Sequence, residues 1–278
     1  MALSGHERER DDWRLRLTAR PRTAGRHTHP GRSRLNKAEP GGKQPFAEFV
    51  PRLRERYEAN RDAATAAPMA AYMRGKFEFL GIKGPLAHRL LREALAGLTR
   101  PTQAELQEAA EALWALPERE YKYAGAAILR RYVAACDASF LPVAQELILT
   151  KPWWDTVDAL AANVVGPLVA RHPELGAVMD EWILSEDIWL ARTALLHQLK
   201  YRARTDAAKL TRYCLLRGGD KEFFIRKAIG WALREYSKTD ADAVRAFVAR
   251  HDGELSGLSK REALLWLNGR KPKARTAD

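Results

Sequence analysis

From Phe46 to about Leu267 the apolar residues recur at intervals of three and four, which predicts amphipathic helices one after another. The predicted segments are 46–62, 64–76, 84–98, 102–115, 118–135, 139–149, 152–170, 173–184, 186–201, 205–217, 220–236, 239–251 and 256–267. Between them lie short breaks that suit helix ends: Gly81 to Pro85, Arg100-Pro101-Thr102, Gly218-Gly219-Asp220, Thr239-Asp240 and Asp252-Gly253. Alternating β-branched runs of the kind strands need are missing, so the pattern is all-α.

Some helices resemble one another. Trp189–Leu195 aligns with Phe223–Ile229 at an offset of 34, with an aromatic, an arginine, an alanine and an aliphatic residue in register. The same step back from Arg192 lands on Asp158. A degenerate helix-pair repeat of this length predicts a HEAT- or armadillo-like α-solenoid, in which each pair completes its core on the next. Asp158, Arg192 and Arg226 then form a row along adjacent units, on a curved array with a basic concave face.

The stretch from Thr150 to Leu160 combines structural and chemical signals. Thr150 reads as a helix cap with Pro152 in the first turn. Trp153, Val157, Leu160 and Val164 form a core-facing stripe, while Trp154 and Asp158 share the neighbouring face. An aromatic plane beside a carboxylate can hold and stabilise a cation. Taken alone, Asp158 is equally a helix-terminus charge or half of a structural ion pair with Arg192 or a lysine.

The chain has 278 residues and a net charge of +12. That excess points to a polyanionic partner, most often nucleic acid. Residues 1–44 hold 11 Lys and Arg against 5 Asp and Glu, half of the total excess. This arm is Pro/Gly-punctuated and expected to be disordered; it reads as an accessory DNA-binding tail, a solvated tail or a start codon placed upstream, and less well as a transit peptide. Residues 45–270 form the expected repeat domain, and 271–278 a disordered C-terminus. No apolar run is long enough to span a bilayer and no signal-peptide core is present, so the expected setting is cytoplasmic. Cys136 and Cys214 fall in apolar helical patterns and read as reduced core residues. The seven histidines make no metal-ligand spacing, and no metal or cofactor is expected.

Further positions refine the picture. Arg192 lies among Ile188, Leu195 and Leu199, so its stem is expected to pack while its guanidinium emerges. Lys227, Trp231, Arg234 and Lys238 share a helix face, and basic groups interleaved with a tryptophan suit a phosphate backbone and a sugar or base. Lys151, Arg130, Arg131, Lys200, Arg202 and Arg204 offer more positive charge. Trp114, Trp153, Trp182 and Trp266 read as core.

Four blocks carry a resemblance: YMRGKFEFLGI from Tyr72, WWDTVD from Trp153, WLARTALLHQLKY from Trp189 and FFIRKAIGWALREY from Phe223. In this order and spacing they resemble the AlkD family of DNA alkylation-repair glycosylases. The resemblance implies a monomeric HEAT-like solenoid, in a bacterial nucleoid, that cups alkylated double-stranded DNA and hydrolyses the N-glycosidic bond of cationic N3- or N7-alkylated purines during base excision repair. It implies that Trp154, Asp158 and Trp231 surround the lesion's deoxyribose as the catalytic set, that Arg192 holds the adjacent backbone and that Tyr72 contributes from the N-terminal helices. Lys151, Arg226, Lys227 and Arg234 complete the expected DNA contacts. It also implies that the lesion stays stacked and is not flipped, which would tolerate bulkier adducts.

The chemistry is consistent with that reading. Most glycoside hydrolases use two carboxylates, one to protonate the leaving group. An N3- or N7-alkylated purine is already cationic and leaves as a neutral base, so one carboxylate suffices, stabilising the oxocarbenium-like sugar and orienting or deprotonating water. The competing class is a non-catalytic solenoid that binds DNA structure or acts as a protein scaffold.

Overall fold

The structure is a computed structural model that describes residues 42–269, in which every regular element is helical. A short 3-10 turn, Phe46–Glu48, leads into α1 (Phe49–Glu58), followed by α2 (Ala63–Tyr72), α3 (Gly84–Leu95), α4 (Gln103–Ala115), α5 (Arg119–Tyr132) and α6 (Leu141–Leu149). Helix α7 (Trp154–Leu160) continues through one π-helical stretch, Ala161–Val165, into α8 (Gly166–Arg171). Then come α9 (Gly176–Trp182), α10 (Ile188–Leu196), α11 (Ala207–Leu216), α12 (Phe223–Tyr236), α13 (Ala241–Arg250) and α14 (Gly257–Gly269). Gln44, assigned above to the tail, is joined to the α3–α4 connection by backbone bonds to Gly97 and Thr99. The N-terminal arm up to residue 41 and the segment from 270 lie outside the described residues.

Short polar side chains set many of the helix starts. Asp62, Asp187, Asp206 and Asp240 each accept from backbone amides one turn into α2, α10, α11 and α13. Thr102 and Glu105 form a reciprocal capping box at α4. Apolar stripes then stack the helices in the solenoid order: α5 against α7, α7 against α10, α10 against α12 and α12 against α14, with α4, α6, α11 and α13 backing this row. A continuous core runs from Phe46 to Ala263, including Trp114, Trp153 and Trp182, whereas Trp266 is half-buried. Both cysteines are buried free thiols.

Two features fix the contact between the start of α8 and the end of α10. At Gly166 an added Cβ would lie 2.2 Å from the His197 carbonyl oxygen, and the Gly166 carbonyl accepts from the Tyr201 hydroxyl at 2.7 Å. Only a hydrogen fits between these backbones, so Gly166→Ala is expected to lower stability by about 2–3 kcal/mol, readable as a reduced urea midpoint at unchanged slope.

His197 is fully buried, with Nδ1 at 2.7 Å from the Ala194 carbonyl, so Nδ1 carries the proton. Burial lowers its pKa from 6.5 to about 4. The unfolded chain therefore binds the extra proton between these values; the contribution is fully present above pH 6.5 and is lost as pH falls through about 4. The stability difference between wild type and His197→Asn should change by on the order of 3 kcal/mol across this window, to the wild type's disadvantage at the acid end. Parallel denaturant titrations at pH 7 and pH 4 measure it.

Candidate active site

Helix α7 begins two to three residues later than its sequence suggested. Thr150 does not cap it; its hydroxyl turns back to the Glu146 carbonyl at 2.8 Å and closes α6. Lys151 takes a left-handed backbone (φ 47°), and Trp153, in extended conformation, is the N-cap. A tertiary contact competes for this turn: Arg119 Nη1 donates to the Lys151 carbonyl at 2.9 Å.

Trp153 nonetheless serves its core role. Its ring lies 5.8 Å from that of Trp189 and 5.0 Å from that of Phe224, and Trp189 and Phe224 are 5.1 Å apart. This trio locks the beginnings of α7, α10 and α12 together. The ammonium of Lys76 sits 5.0 Å over the Trp153 ring, which brings the segment after Tyr72 alongside. Tyr72 itself ends α2 and is exposed, followed by a left-handed Arg74 (φ 59°).

One turn into α7, Asp158 is buried and gripped by Arg192. The guanidinium donates from Nε to Oδ1 at 2.7 Å and from Nη2 to Oδ2 at 2.9 Å, a bidentate pair across the repeat. Nη1 donates to the Phe224 carbonyl of α12. The guanidinium thus does not emerge, as the apolar register suggested it should; the side chain is 2% exposed and spans three helices. Arg192 therefore fixes the position of a carboxylate instead of presenting a surface cation. Trp154 is half-buried on the same helix as Asp158, and Trp231 is half-buried on α12, two turns beyond Phe224. The three residues expected to surround a sugar thus stand on two helices that Arg192 joins.

A second arginine–carboxylate pair lies at the start of α7. Arg119 donates to Asp155 from Nε at 3.0 Å and from Nη2 at 2.5 Å, and Asp155 also accepts from the Tyr123 hydroxyl at 2.6 Å and the Thr156 amide at 2.9 Å. With four donors on its two oxygens, Asp155 is spoken for. Burial, followed by the repulsion of Lys151 and Arg119, pushes the neighbouring Lys122 ammonium down to about 8.

The remaining cations divide. Lys151 is exposed. Lys227 and Arg234 both pair with Glu262 of α14, at 2.7 and 3.0 Å, and Lys238 pairs with Glu235 at 2.6 Å, so that face of α12 is partly neutralised. Arg226 is different: its Nε is buried and has no hydrogen-bond partner among the described residues. The sequence pattern did not single out Glu262, nor Arg119, Tyr123 and Asp155. Spacing carried no signal for them: Arg119, Glu120, Tyr121 and Lys122 are consecutive, lie on different faces of α5, and are nonetheless all buried.

A family profile described as DNA alkylation repair enzyme matches residues 53–267. Among solved structures, a "Predicted DNA alkylation repair enzyme from Enterococcus faecalis" superposes with a TM-score of 0.70 at 32% identity, covering 76% of this chain and 98% of that one. No curated protein matches.

Proposed function

Because this chain belongs to the DNA alkylation repair enzyme family, we propose that it is a DNA glycosylase acting on cationic N3- and N7-alkylated purines, such as 3-methyladenine and 7-methylguanine, in duplex DNA. The observation that supports this most is the buried Asp158 carboxylate, fixed by a bidentate arginine one turn from Trp154. An anion held this rigidly needs little reorganisation as positive charge develops beside it.

In this reading the C1′–N bond breaks and its electron pair leaves with the base, cancelling the charge that alkylation had placed there. Positive charge passes to the sugar, where Asp158 stabilises it and Trp154 and Trp231 offer π faces. Water adds at C1′, oriented by Asp158, and its proton goes to solvent; an abasic site remains. The lesion is contacted at its sugar while still stacked, so selectivity comes from the lability of the cationic base. Arg192 serves the reaction by holding Asp158. Arg226 and Lys151 take backbone phosphates, Lys151 being exposed and Arg226 half-buried. Tyr72, Lys227 and Arg234 flank the duplex.

The absence of a leaving-group acid in this scheme is testable with one duplex series. Free 7-methylguanine should appear above the spontaneous rate, while duplexes carrying the neutral lesion uracil should release no base. Release of uracil at a comparable rate would require a group that protonates or hydrogen-bonds the departing neutral base and would overturn the single-carboxylate mechanism.

A further inference from the structure

We infer that Arg119 is a positioning residue for the proposed excision reaction, acting through Asp155 and the Lys151 turn to set the direction of the first turn of α7; the inference rests on the glycosylase reading only for its kinetic consequence. Arg119 is buried between two elements. Its guanidinium lies 3.9 Å from the Phe77 ring and its own amide donates to the Glu78 carbonyl at 2.8 Å, so on one side it holds the segment that follows Tyr72. On the other side the guanidinium grips Asp155 bidentately, donates to the Thr156 hydroxyl at 2.8 Å and takes the Lys151 carbonyl at 2.9 Å.

The neighbouring residues extend the grip. Glu120 accepts from the consecutive amides of Leu80, Gly81 and Ile82 at 3.0, 2.9 and 3.1 Å. The Tyr121 hydroxyl donates to Glu58 at 2.9 Å, and Arg61 pairs with Glu118 at 2.5 Å. The first turns of α5 thus tie the end of α1 and the segment bearing Lys76 to the start of α7.

Stability alone does not account for this arrangement. A buried ion pair is often no more stabilising than well-packed apolar side chains of the same volume. What apolar packing lacks is direction. The fork of Arg119 fixes the rotation of Asp155 about the α7 axis and holds Lys151 left-handed, and Trp154 and Asp158 project from the same turns. Small misplacements of reacting groups cost large factors in rate.

The test uses the full chain as wild type, Arg119→Gln, Arg119→Lys and Tyr123→Phe, with two readouts. The first is native-state hydrogen exchange of the 153–158 amides, with those of α12 as internal control. In Arg119→Gln the α7 amides should exchange at least tenfold faster and the α12 amides at their wild-type rate. The second is the single-turnover rate of 7-methylguanine release at saturating protein, which should fall ten- to a hundredfold while the duplex Kd stays within threefold, with partial recovery in Arg119→Lys. Should Arg119→Gln fail to fold, Tyr123→Phe removes one hydroxyl from Asp155 and should give the same local pattern at two- to fivefold. A uniform change in exchange across helices, or wild-type exchange and release in a folded variant, would overturn the inference. If the wild type released no base, the glycosylase reading would fall, and the exchange pattern would still decide whether Arg119 sets α7.

Discussion

Asp158→Asn is expected to slow the release of 7-methylguanine by roughly 10²–10³-fold, the scale of losing one preorganised electrostatic contact to a transition state. Asparagine keeps the shape and an acceptor for Arg192 but removes the charge that offsets the developing sugar cation. Duplex affinity should stay within about threefold, because a buried carboxylate adds no attraction for phosphate. The substitution also leaves the Arg192 guanidinium buried without its counter-ion, a loss of about 3 kcal/mol for a pair this enclosed. Rates must therefore be taken well below the unfolding transition, with single-turnover chemistry and equilibrium binding measured on the same preparation. Full activity in a folded Asp158→Asn protein would remove Asp158 from the chemistry.

Arg192→Met is expected to cost about 3–5 kcal/mol in stability, since it strands the Asp158 carboxylate in a buried site, and to slow base release by a factor comparable to that of Asp158→Asn. The double variant Asp158→Asn/Arg192→Met should regain part of the lost stability while remaining inactive. That non-additivity is the signature of a coupled pair. An arginine that chiefly held the DNA backbone would behave otherwise: stability would hardly change, and the salt dependence of binding would lose about one phosphate's worth of slope. Urea unfolding of the four proteins, with binding titrated at two salt concentrations, separates the two roles. The burial of the Arg192 guanidinium against Asp158 and the Phe224 carbonyl favours the first.

Much of this molecule could be read before its structure was seen, because the decisive signals are local. A spacing of three and four predicts the helices, and two of the predicted breaks, Arg100-Pro101-Thr102 and Thr239-Asp240, hold the N-caps Thr102 and Asp240. The offset of 34 joining Asp158 to Arg192 is a repeat signal, and in the fold it becomes a bidentate ion pair. What the sequence conceals is whatever a distant partner decides. Thr150 has the composition of a cap, yet Arg119, 32 residues upstream of Lys151, draws that residue's carbonyl into a left-handed turn and moves the helix start to Trp154. Glu118 to Lys122 opens a predicted helix with nothing in its spacing to mark a buried hub, and becomes one because the segments at Glu58, Leu80 and Asp155 converge on it. Lys227 and Arg234 share a basic face in projection, whereas Glu262 from the next helix pair takes both.

The central claim is hydrolysis of the glycosidic bond of an alkylated purine, and the most direct measurement is free base. Duplex DNA carrying a single 7-methylguanine, incubated with excess protein, should yield free 7-methylguanine and an abasic strand far faster than spontaneous depurination. A duplex that is bound with steep salt dependence and recovered with its lesion intact would contradict the claim and leave a non-catalytic binder of DNA structure.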